Sequence, residues 1–281
     1  MHRMHKHHEH GGSGSLLMPF DAPATDGLHP VALSDGRRAI VKYRHDAPAD
    51  FFAAEARGLA ALARADALRT PRVLDTGDDF ILIEDLGHGQ RAPDYWQRAG
   101  AGLAAQHATA TGTHFGSDRN GFCGDSPQDN TPDSDGWRFF AERRLLPQMR
   151  RARDHGRIDT RDTANIERLC ARLREHIPPM PPVLLHGDLW SGNLHVCADG
   201  LPALIDAGAV HDGWAEADLA MLVLFGAPPE TFFRAYAAHA TLRDGWRERA
   251  PVYNTYHLLN HVNLFGAGYL PALRAALAAR A

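Results

Sequence analysis

An aspartate and an asparagine, separated by four residues, give this sequence its most specific chemical signal. Asp188 and Asn193 lie in the segment His-Gly-Asp-Leu-Trp-Ser-Gly-Asn at residues 186–193, between two apolar stretches, so both side chains should emerge from one short loop. In phosphoryl transfer, this spacing lets the aspartate orient an attacking hydroxyl and accept its proton, while the asparagine oxygen binds Mg²⁺. Asp206 ends the next predicted strand and is the expected second oxygen ligand. An isolated D-x-x-x-x-N pattern usually caps a turn, but the complete arrangement predicts phosphoryl transfer.

A lysine and a glutamate earlier in the chain support the same chemistry. Glu55 falls on the apolar stripe of a helix predicted over residues 50–65, where an unpaired carboxylate would be costly. Lys42 lies in an apolar strand just before that helix, and a strand lysine paired with a helix glutamate positions the ATP phosphates in protein-kinase-like enzymes. We therefore expect an ion pair between Lys42 and Glu55. A Glu55 at the edge of the stripe with a solvated Lys42 is the alternative.

Short strands around one helix are predicted between residues 31 and 86. The elements are a hairpin at 31–43 with its turn at 34–36, the helix at 50–65 with Asp50 as its N-cap, and strands at 71–74 and 80–84 joined by a turn at 77–79. The backbone around Glu84 and Leu86, at the end of the last strand, is the expected contact for adenine. A glycine-rich segment at 87–89 then predicts a boundary between two lobes.

Beyond this boundary the sequence becomes mainly helical. The predicted elements are helices near 94–110, 136–154, 160–177 and from 215 onward, a long loop at about 112–135, and short strands at 183–185, 194–197 and 203–205. The result is an α+β protein with a small β-rich N-lobe at residues 16–88 and a larger helical C-lobe at residues 89–281. A ligand is expected in the cleft between the lobes.

Composition excludes several classes of function. The formal net charge of −4 lacks the basic excess that nucleic-acid binding requires. No apolar run approaches the roughly 18 residues of a membrane span, so we expect a cytoplasmic protein without a membrane partner. Cys123, Cys170 and Cys197 show neither a disulfide framework nor a zinc-binding pattern. Residues 1–15 contain five histidines followed by glycines and serines, which is typical of a purification tag and linker.

These residues resemble the fructosamine kinase (ketosamine-3-kinase) family, a branch of the aminoglycoside phosphotransferase and choline kinase group with a protein-kinase-like fold. Trp190, inside the segment at 186–193, is similar to that family's signature, whereas its relatives share mainly the His-Gly-Asp and the later asparagine. Further similar segments lie at 51–62, 136–145, 216–221, 224–226 and 253–269. The resemblance extends over roughly residues 31–275.

The resemblance implies a reaction and a role for each candidate residue. Members of the family transfer the γ-phosphate of ATP, with Mg²⁺, to the 3-hydroxyl of a ketosamine such as fructosamine or ribulosamine on a glycated amine, which promotes deglycation. The implied roles are catalytic base for Asp188, magnesium binding for Asn193 and Asp206, phosphate positioning for Lys42 and Glu55, nucleotide binding for Glu84 and Leu86, the sugar site for Trp190, and support of the catalytic loop for His186 and Asp218. His257 and His261 are expected to pack or to form hydrogen bonds. We expect a monomer with a small-molecule substrate.

Two departures from the family pattern and three alternatives stay open. The family has a Gly-Gly turn that covers the phosphates, whereas residues 21–30 contain Gly27 as their one glycine, which predicts weak nucleotide affinity. Asp206-Ala207-Gly208 replaces the usual Asp-Pro-Ala but keeps the metal-binding aspartate.

The alternatives are a kinase for an aminoglycoside, a kinase for choline or an amino alcohol, and a catalytically weak nucleotide-binding module. Trp190 and the complete set of catalytic positions favour a ketosamine kinase.

Overall fold

The structure is a computed structural model that describes residues 23, 25–109, 112–240 and 242–279. The predicted tag and linker at residues 1–15, and residues 21, 22 and 24 of the segment expected near the phosphates, lie outside this range. None of the described helices combines the length and the apolar content that a membrane crossing requires.

A four-stranded antiparallel sheet with one helix forms the N-terminal part. Its elements, in chain order, are β1 (Gly27–Ala32), β2 (Arg38–Tyr43), α1 (Phe51–Arg64), β3 (Val73–Thr76) and β4 (Phe80–Glu84). The strand order is β1-β2-β4-β3, and Lys42 of β2 pairs with Leu28 of β1 and with Ile81 of β4. The predicted hairpin and helix are thus confirmed. The third strand lies two residues later than expected and contains an irregularity between Val73 and Asp75.

The start of α1 differs from the prediction in its capping. Asp50 does precede the helix, but its backbone is left-handed (φ 66°) and its side chain accepts no amide hydrogen bond. An N-cap needs an extended backbone to bring its oxygen over the first amides, so the left-handed conformation excludes that role. The helix is held instead by its buried face, where Phe52, Leu59 and Leu62 pack in one cluster with Ile81 and Ile83 of β4.

The C-terminal part is larger and mainly helical. Its elements, in chain order, are α2 (Tyr95–Ala108), β5 (Gly121–Cys123), β6 (Ser126–Gln128), α3 (Gly136–Phe140), a π-helical turn (Ala141–Leu145), α4 (Leu146–Asp154), α5 (Thr160–Ala171), α6 (Leu173–His176), β7 (Val183–Leu185), β8 (Leu194–Val196), β9 (Pro202–Leu204), β10 (His211–Gly213), α7 (Ala215–Leu224), α8 (Glu230–His239), α9 (Trp246–Phe265), a 3₁₀ turn (Ala267–Tyr269) and α10 (Leu270–Ala278). The α9 helix packs against α4, α7 and α10, and most of its side chains are buried. It is therefore the central support of this part.

Several predicted boundaries change here. The predicted loop at 112–135 contains the β5–β6 hairpin, and β7 pairs with β10, which was not predicted. The helix predicted at 136–154 is interrupted by the π-helical turn, and the one at 160–177 breaks at Arg172. The predicted pairing of 194–197 with 203–205 is confirmed in β8 and β9. The chain changes from mainly strands to mainly helices between β4 and α2. The division into two lobes after residue 88 stays a prediction.

Candidate active site

A buried carboxylate holds the loop between β7 and β8 (residues 186–193) in place. Asp218 of α7 accepts hydrogen bonds from the backbone amides of His186 (2.8 Å) and Gly187 (2.9 Å). His107 Nε2 lies 3.3 Å from the same carboxylate, and its Nδ1 lies 2.8 Å from the hydroxyl oxygen of Tyr236. Burial acts to raise the pKa of Asp218, but the hydrogen bonds and charge of His107 outweigh it and hold the pKa below its usual value. The contact predicted for Asp218 is present, and its role in bracing the loop stays a prediction.

The first residues of this loop have almost no freedom to move. Gly187 has φ 83°, and a Cβ at this position would lie 2.1 Å from the carbonyl oxygen of Ala209, so no other residue fits. His186 is fully buried, and its Nε2 donates to the Ile205 carbonyl at 2.8 Å. The loop is therefore fixed between α7 and the segment that follows β9.

Asp188 follows directly, and 23% of its side chain is exposed. Burial, reinforced by the carboxylates of Asp206 and Asp218, raises its pKa to about 7. The Asp188 carbonyl accepts from the Trp190 amide (3.1 Å) and from Asn193 Nδ2 (2.9 Å), which closes the loop on itself. Asn193 Oδ1 accepts no hydrogen bond within the described part of the chain and stays available as a ligand.

Lys42, Glu55 and Asp206 form a chain of charges across the cleft. Lys42 Nζ donates to both oxygens of Glu55, at 2.8 and 2.6 Å, and to Asp206 Oδ1 at 2.9 Å. The predicted ion pair is confirmed, and Glu55 is 3% exposed, on the apolar face of α1. Burial would lower the pKa of Lys42, but the carboxylates of Glu55 and Asp206 outweigh it and raise the pKa. The amine thus stays charged at neutral pH.

Asp206 also lies next to the other candidate magnesium ligand. The Ile205 amide donates to the Asn193 carbonyl at 3.1 Å, so the two candidates occupy the ends of neighbouring strands. The Asp206 backbone is left-handed (φ 60°), which is uncommon for a residue other than glycine and marks a constrained site. Although burial opposes it, Lys42 lowers the pKa of Asp206, so its carboxylate is ionised.

The segment after Asp206 lies directly against α1. A Cβ placed on Gly58 would be 1.8 Å from the carbonyl oxygen of Ala207, so the helix and this segment touch backbone to backbone. Glu55 lies three residues before Gly58 on the same helix. This contact therefore couples the position of Glu55 to that of Asp206.

The predicted adenine contacts lie at the end of β4. Leu86 is buried, and its carbonyl accepts from the Ala198 amide at 2.9 Å, while its own amide has no partner among the described residues. The side chain of Glu84 contacts Arg69 (2.9 Å) and Arg72 (3.3 Å), so it is engaged within the protein. Nucleotide binding at these positions stays a prediction and would use the backbone.

An aromatic cavity, which we call the acceptor pocket, opens beside Asp188. It has a volume of about 380 Å³ and is lined by Cys123, Gly124, Asp188, Trp190, Met221, Phe225, Asn260, His261, Leu264, Phe265 and Tyr269. Trp190 is 41% exposed there, which fits the substrate position predicted for it. Asp188 is the one carboxylate among the described residues of this lining.

Sequence reasoning missed most of the acceptor pocket. Phe225 and Phe265, which are 44% and 65% exposed, follow or end helices α7 and α9 within repeated Leu-Phe-Gly segments. The ring of His261, expected to pack or to form hydrogen bonds, lies 5.1 Å from that of Phe225 and 4.8 Å from that of Tyr269. One sequence signal could have indicated these two residues. In both places a large apolar residue is followed by a glycine that ends the helix.

His257 is likewise closer to the chemistry than predicted. It is buried in α9, and its Nδ1 lies 3.7 Å from Asp188 Oδ1 without forming a hydrogen bond. Burial lowers the pKa of His257 to about 3, so the ring is neutral. The sequence had indicated only packing or hydrogen bonding for this residue.

The chain is similar to known proteins along most of its length. The family model described as fructosamine kinase matches residues 28–279. A Synechocystis protein named probable ketoamine kinase is 37% identical over 243 residues, or 84% of this chain and 81% of its own length. The chloroplastic protein-ribulosamine 3-kinase of Arabidopsis thaliana is 34% identical over 84% of this chain and 74% of its own length. A Thermobifida fusca crystal structure, provisionally named fructosamine-3-kinase, superposes with a TM-score of 0.84 and 38% identity, covering 92% of this chain and 91% of that one.

Proposed function

Because this chain belongs to the fructosamine kinase family and has its two-lobe, protein-kinase-like α+β fold, we propose that it transfers the γ-phosphoryl group of ATP to the 3-hydroxyl of a ketosamine. The acceptor would be fructosamine or ribulosamine carried on an amine, and its phosphorylation would promote deglycation. The observation that carries this proposal is the position of Asp188, between the aromatic acceptor pocket and the charge chain of Lys42, Glu55 and Asp206.

The phosphate side of the cleft has the groups that a magnesium nucleotide requires. Asn193 Oδ1 and the ionised Asp206 are hard oxygen donors on neighbouring strand ends, so they fit Mg²⁺. The bound ion would neutralise charge on the transferring group. Lys42, fixed by Glu55, would place its charge on the phosphates.

Asp188 is the group suited to accept the proton of the acceptor hydroxyl. A carboxyl pKa of about 7 lies near the working pH, where a general base is most effective. As the hydroxyl oxygen forms its bond to the γ-phosphorus, its proton passes to Asp188 and the bond to the β-phosphate oxygen breaks, releasing ADP. His257 is a poor alternative, because its pKa of about 3 makes it a very weak base.

The acceptor pocket fits a sugar that carries one amine. The rings of Trp190, Phe225 and Tyr269 offer flat faces to a sugar ring, and aromatic faces attract an ammonium group. A polycationic aminoglycoside would need a dense cluster of carboxylates, whereas the described lining supplies Asp188 alone. Choline or an amino alcohol would also meet aromatic faces, so both belong in the acceptor panel.

The test is an acceptor panel with ATP and Mg²⁺. Fructosamine and ribulosamine derivatives of lysine should be phosphorylated at the 3-hydroxyl, while choline and an aminoglycoside should not. Asp188→Asn should lower kcat by about 10²- to 10⁴-fold, because it removes the base and preserves the shape. Asp78→Asn, in the exposed turn between β3 and β4, is the matched control and should keep full activity. A folded wild-type protein that phosphorylates no ketosamine would refute the proposal.

A further inference from the structure

Three side chains with different donor atoms meet beside the acceptor pocket, and we call them the floor cluster. Cys123 and Asp188 line that pocket, and His257 lies behind them. Ligand atoms of Cys123, Asp188 and His257 all lie within 4.8 Å of one another. They come from β5, from the loop at 186–193 and from α9, so distant parts of the chain bring them together. The proposed phosphoryl transfer uses only Asp188 of the three, which leaves Cys123 and His257 without a role.

His257 offers a nitrogen that the protein itself leaves unsatisfied. The residue is 5% exposed, and its Nδ1 has no hydrogen-bond partner in the described part of the chain. That atom lies 3.7 Å from Asp188 Oδ1, beyond hydrogen-bonding distance, and faces the floor cluster. Buried polar atoms without partners are rare because they are costly, and a neutral imidazole is the form that binds metals.

One hydrogen bond at Cys123 would stabilise a metal-bound thiolate. It is 2% exposed, and Asn260 Nδ2 lies 3.4 Å from its sulfur and 3.0 Å from its carbonyl oxygen, donating to both. An N–H group directed at sulfur stabilises negative charge there. Burial raises the pKa of the free thiol well above its usual value, so an incoming metal must displace the proton, which leaves to solvent through the pocket.

We propose that the floor cluster binds a thiophilic divalent ion of the zinc class through Cys Sγ, Asp carboxylate and His Nδ1, and that this ion inhibits the enzyme. Tetrahedral zinc, with bonds of about 2.0–2.3 Å, separates its ligand atoms by about 3.3–3.7 Å, so the cluster needs to close by about 1 Å. Because the ion occupies the carboxylate of Asp188, it blocks proton acceptance and excludes the acceptor hydroxyl.

Donor type separates this site from the predicted magnesium site. Asn193 and Asp206 offer only oxygen, which Mg²⁺ prefers, whereas thiolate and imidazole select zinc. The two ions should therefore bind side by side without exchanging places. Zinc should compete with the ketosamine and leave the binding of magnesium ATP intact.

The direct test uses Co²⁺ as a spectroscopic probe on the full chain. A cobalt ion bound to Cys123 gives a thiolate-to-cobalt charge-transfer band in the near ultraviolet, to which the histidines at residues 1–15 cannot contribute. The band should appear in the wild type, disappear in Cys123→Ser and persist in Cys170→Ser, the matched control. His257→Gln should weaken cobalt binding at least about tenfold, with folding of each variant checked by thermal melting. No band in the wild type, or an equal band in Cys123→Ser, would overturn the site.

The second test measures inhibition by buffered free Zn²⁺ and rests on the proposed function. Each variant is compared with its own rate without zinc. The half-inhibiting concentration should rise at least about tenfold in Cys123→Ser, stay unchanged in Cys170→Ser, and increase with ketosamine but not with magnesium ATP. Equal sensitivity of wild type and Cys123→Ser would overturn the inhibition. If no ketosamine is phosphorylated, the proposed function fails, while the cobalt band still decides the metal site.

Discussion

The close contact between α1 and the segment after Asp206 predicts a large effect from one added methyl group. In Gly58→Ala the new Cβ would lie 1.8 Å from the Ala207 carbonyl oxygen, whereas contacts below 3.0 Å essentially never occur. The helix and the segment must therefore separate by at least about 1.2 Å, the difference between these distances. The same displacement would lengthen the hydrogen bond of 2.9 Å between Lys42 and Asp206 to about 4 Å, which breaks it.

Two measurements follow for Gly58→Ala. Misplacement of this size should lower kcat/KM about 10²-fold, and overpacking should lower the free energy of unfolding by about 1–3 kcal/mol, despite the better helix propensity of alanine. Coupled phosphorylation assays and urea unfolding measure the two effects. Gly268→Ala is the matched control, because a Cβ there meets nothing within 4 Å, and it should be neutral. A Gly58→Ala protein with wild-type activity and stability would refute the coupling between α1 and Asp206.

Two further predictions concern the carboxylates of the catalytic loop. Asp188 accepts a proton only when it is ionised, and its pKa is raised to about 7. At low nucleotide concentration, kcat/KM should therefore fall about tenfold per pH unit below pH 7 and level off above it. A flat profile between pH 5 and 8 would contradict this. Asp218→Asn should lower the free energy of unfolding by about 3 kcal/mol, because one of the two oxygens that accept from His186 and Gly187 becomes an NH₂ group, which can only donate. Urea unfolding measures this, and an unchanged value would show that Asp218 does not brace the loop.

Local patterns explain which parts of the site were predictable. The hairpin of β1 and β2 and the apolar stripe of α1 each come from one short stretch, and they place Lys42 against Glu55. A carboxylate within an apolar stripe is buried when the helix packs, and a buried carboxylate needs a cation as its partner. The apolar stripe was therefore sufficient to predict this ion pair. The β8–β9 pairing, which brings Asn193 and Asp206 together, follows from a short turn in the same way.

Contacts between distant segments explain what was missed. Cys123, Asp188 and His257 are more than 60 residues apart from one another, and no local repeat links them. His257 belongs to a helix that is buried around most of its surface, so its sequence shows no polar face from which a functional histidine would stand out. The β5 and β6 strands contain no β-branched residue, and β5 is fixed by the Phe122 amide donating to Gly208 at 2.9 Å.

The placement of Phe225 and Phe265 at the ends of helices bears on how this enzyme class can diversify. Both rings lie beyond the buried stretches of α7 and α9, and both are followed by a glycine with a positive φ. Their replacement would reshape the acceptor pocket without opening a cavity in the core, so stability places little restraint on these two positions. Under the proposed function, natural selection can therefore adjust which amine-bearing sugar is accepted while Lys42, Asp188 and Asp206 stay unchanged.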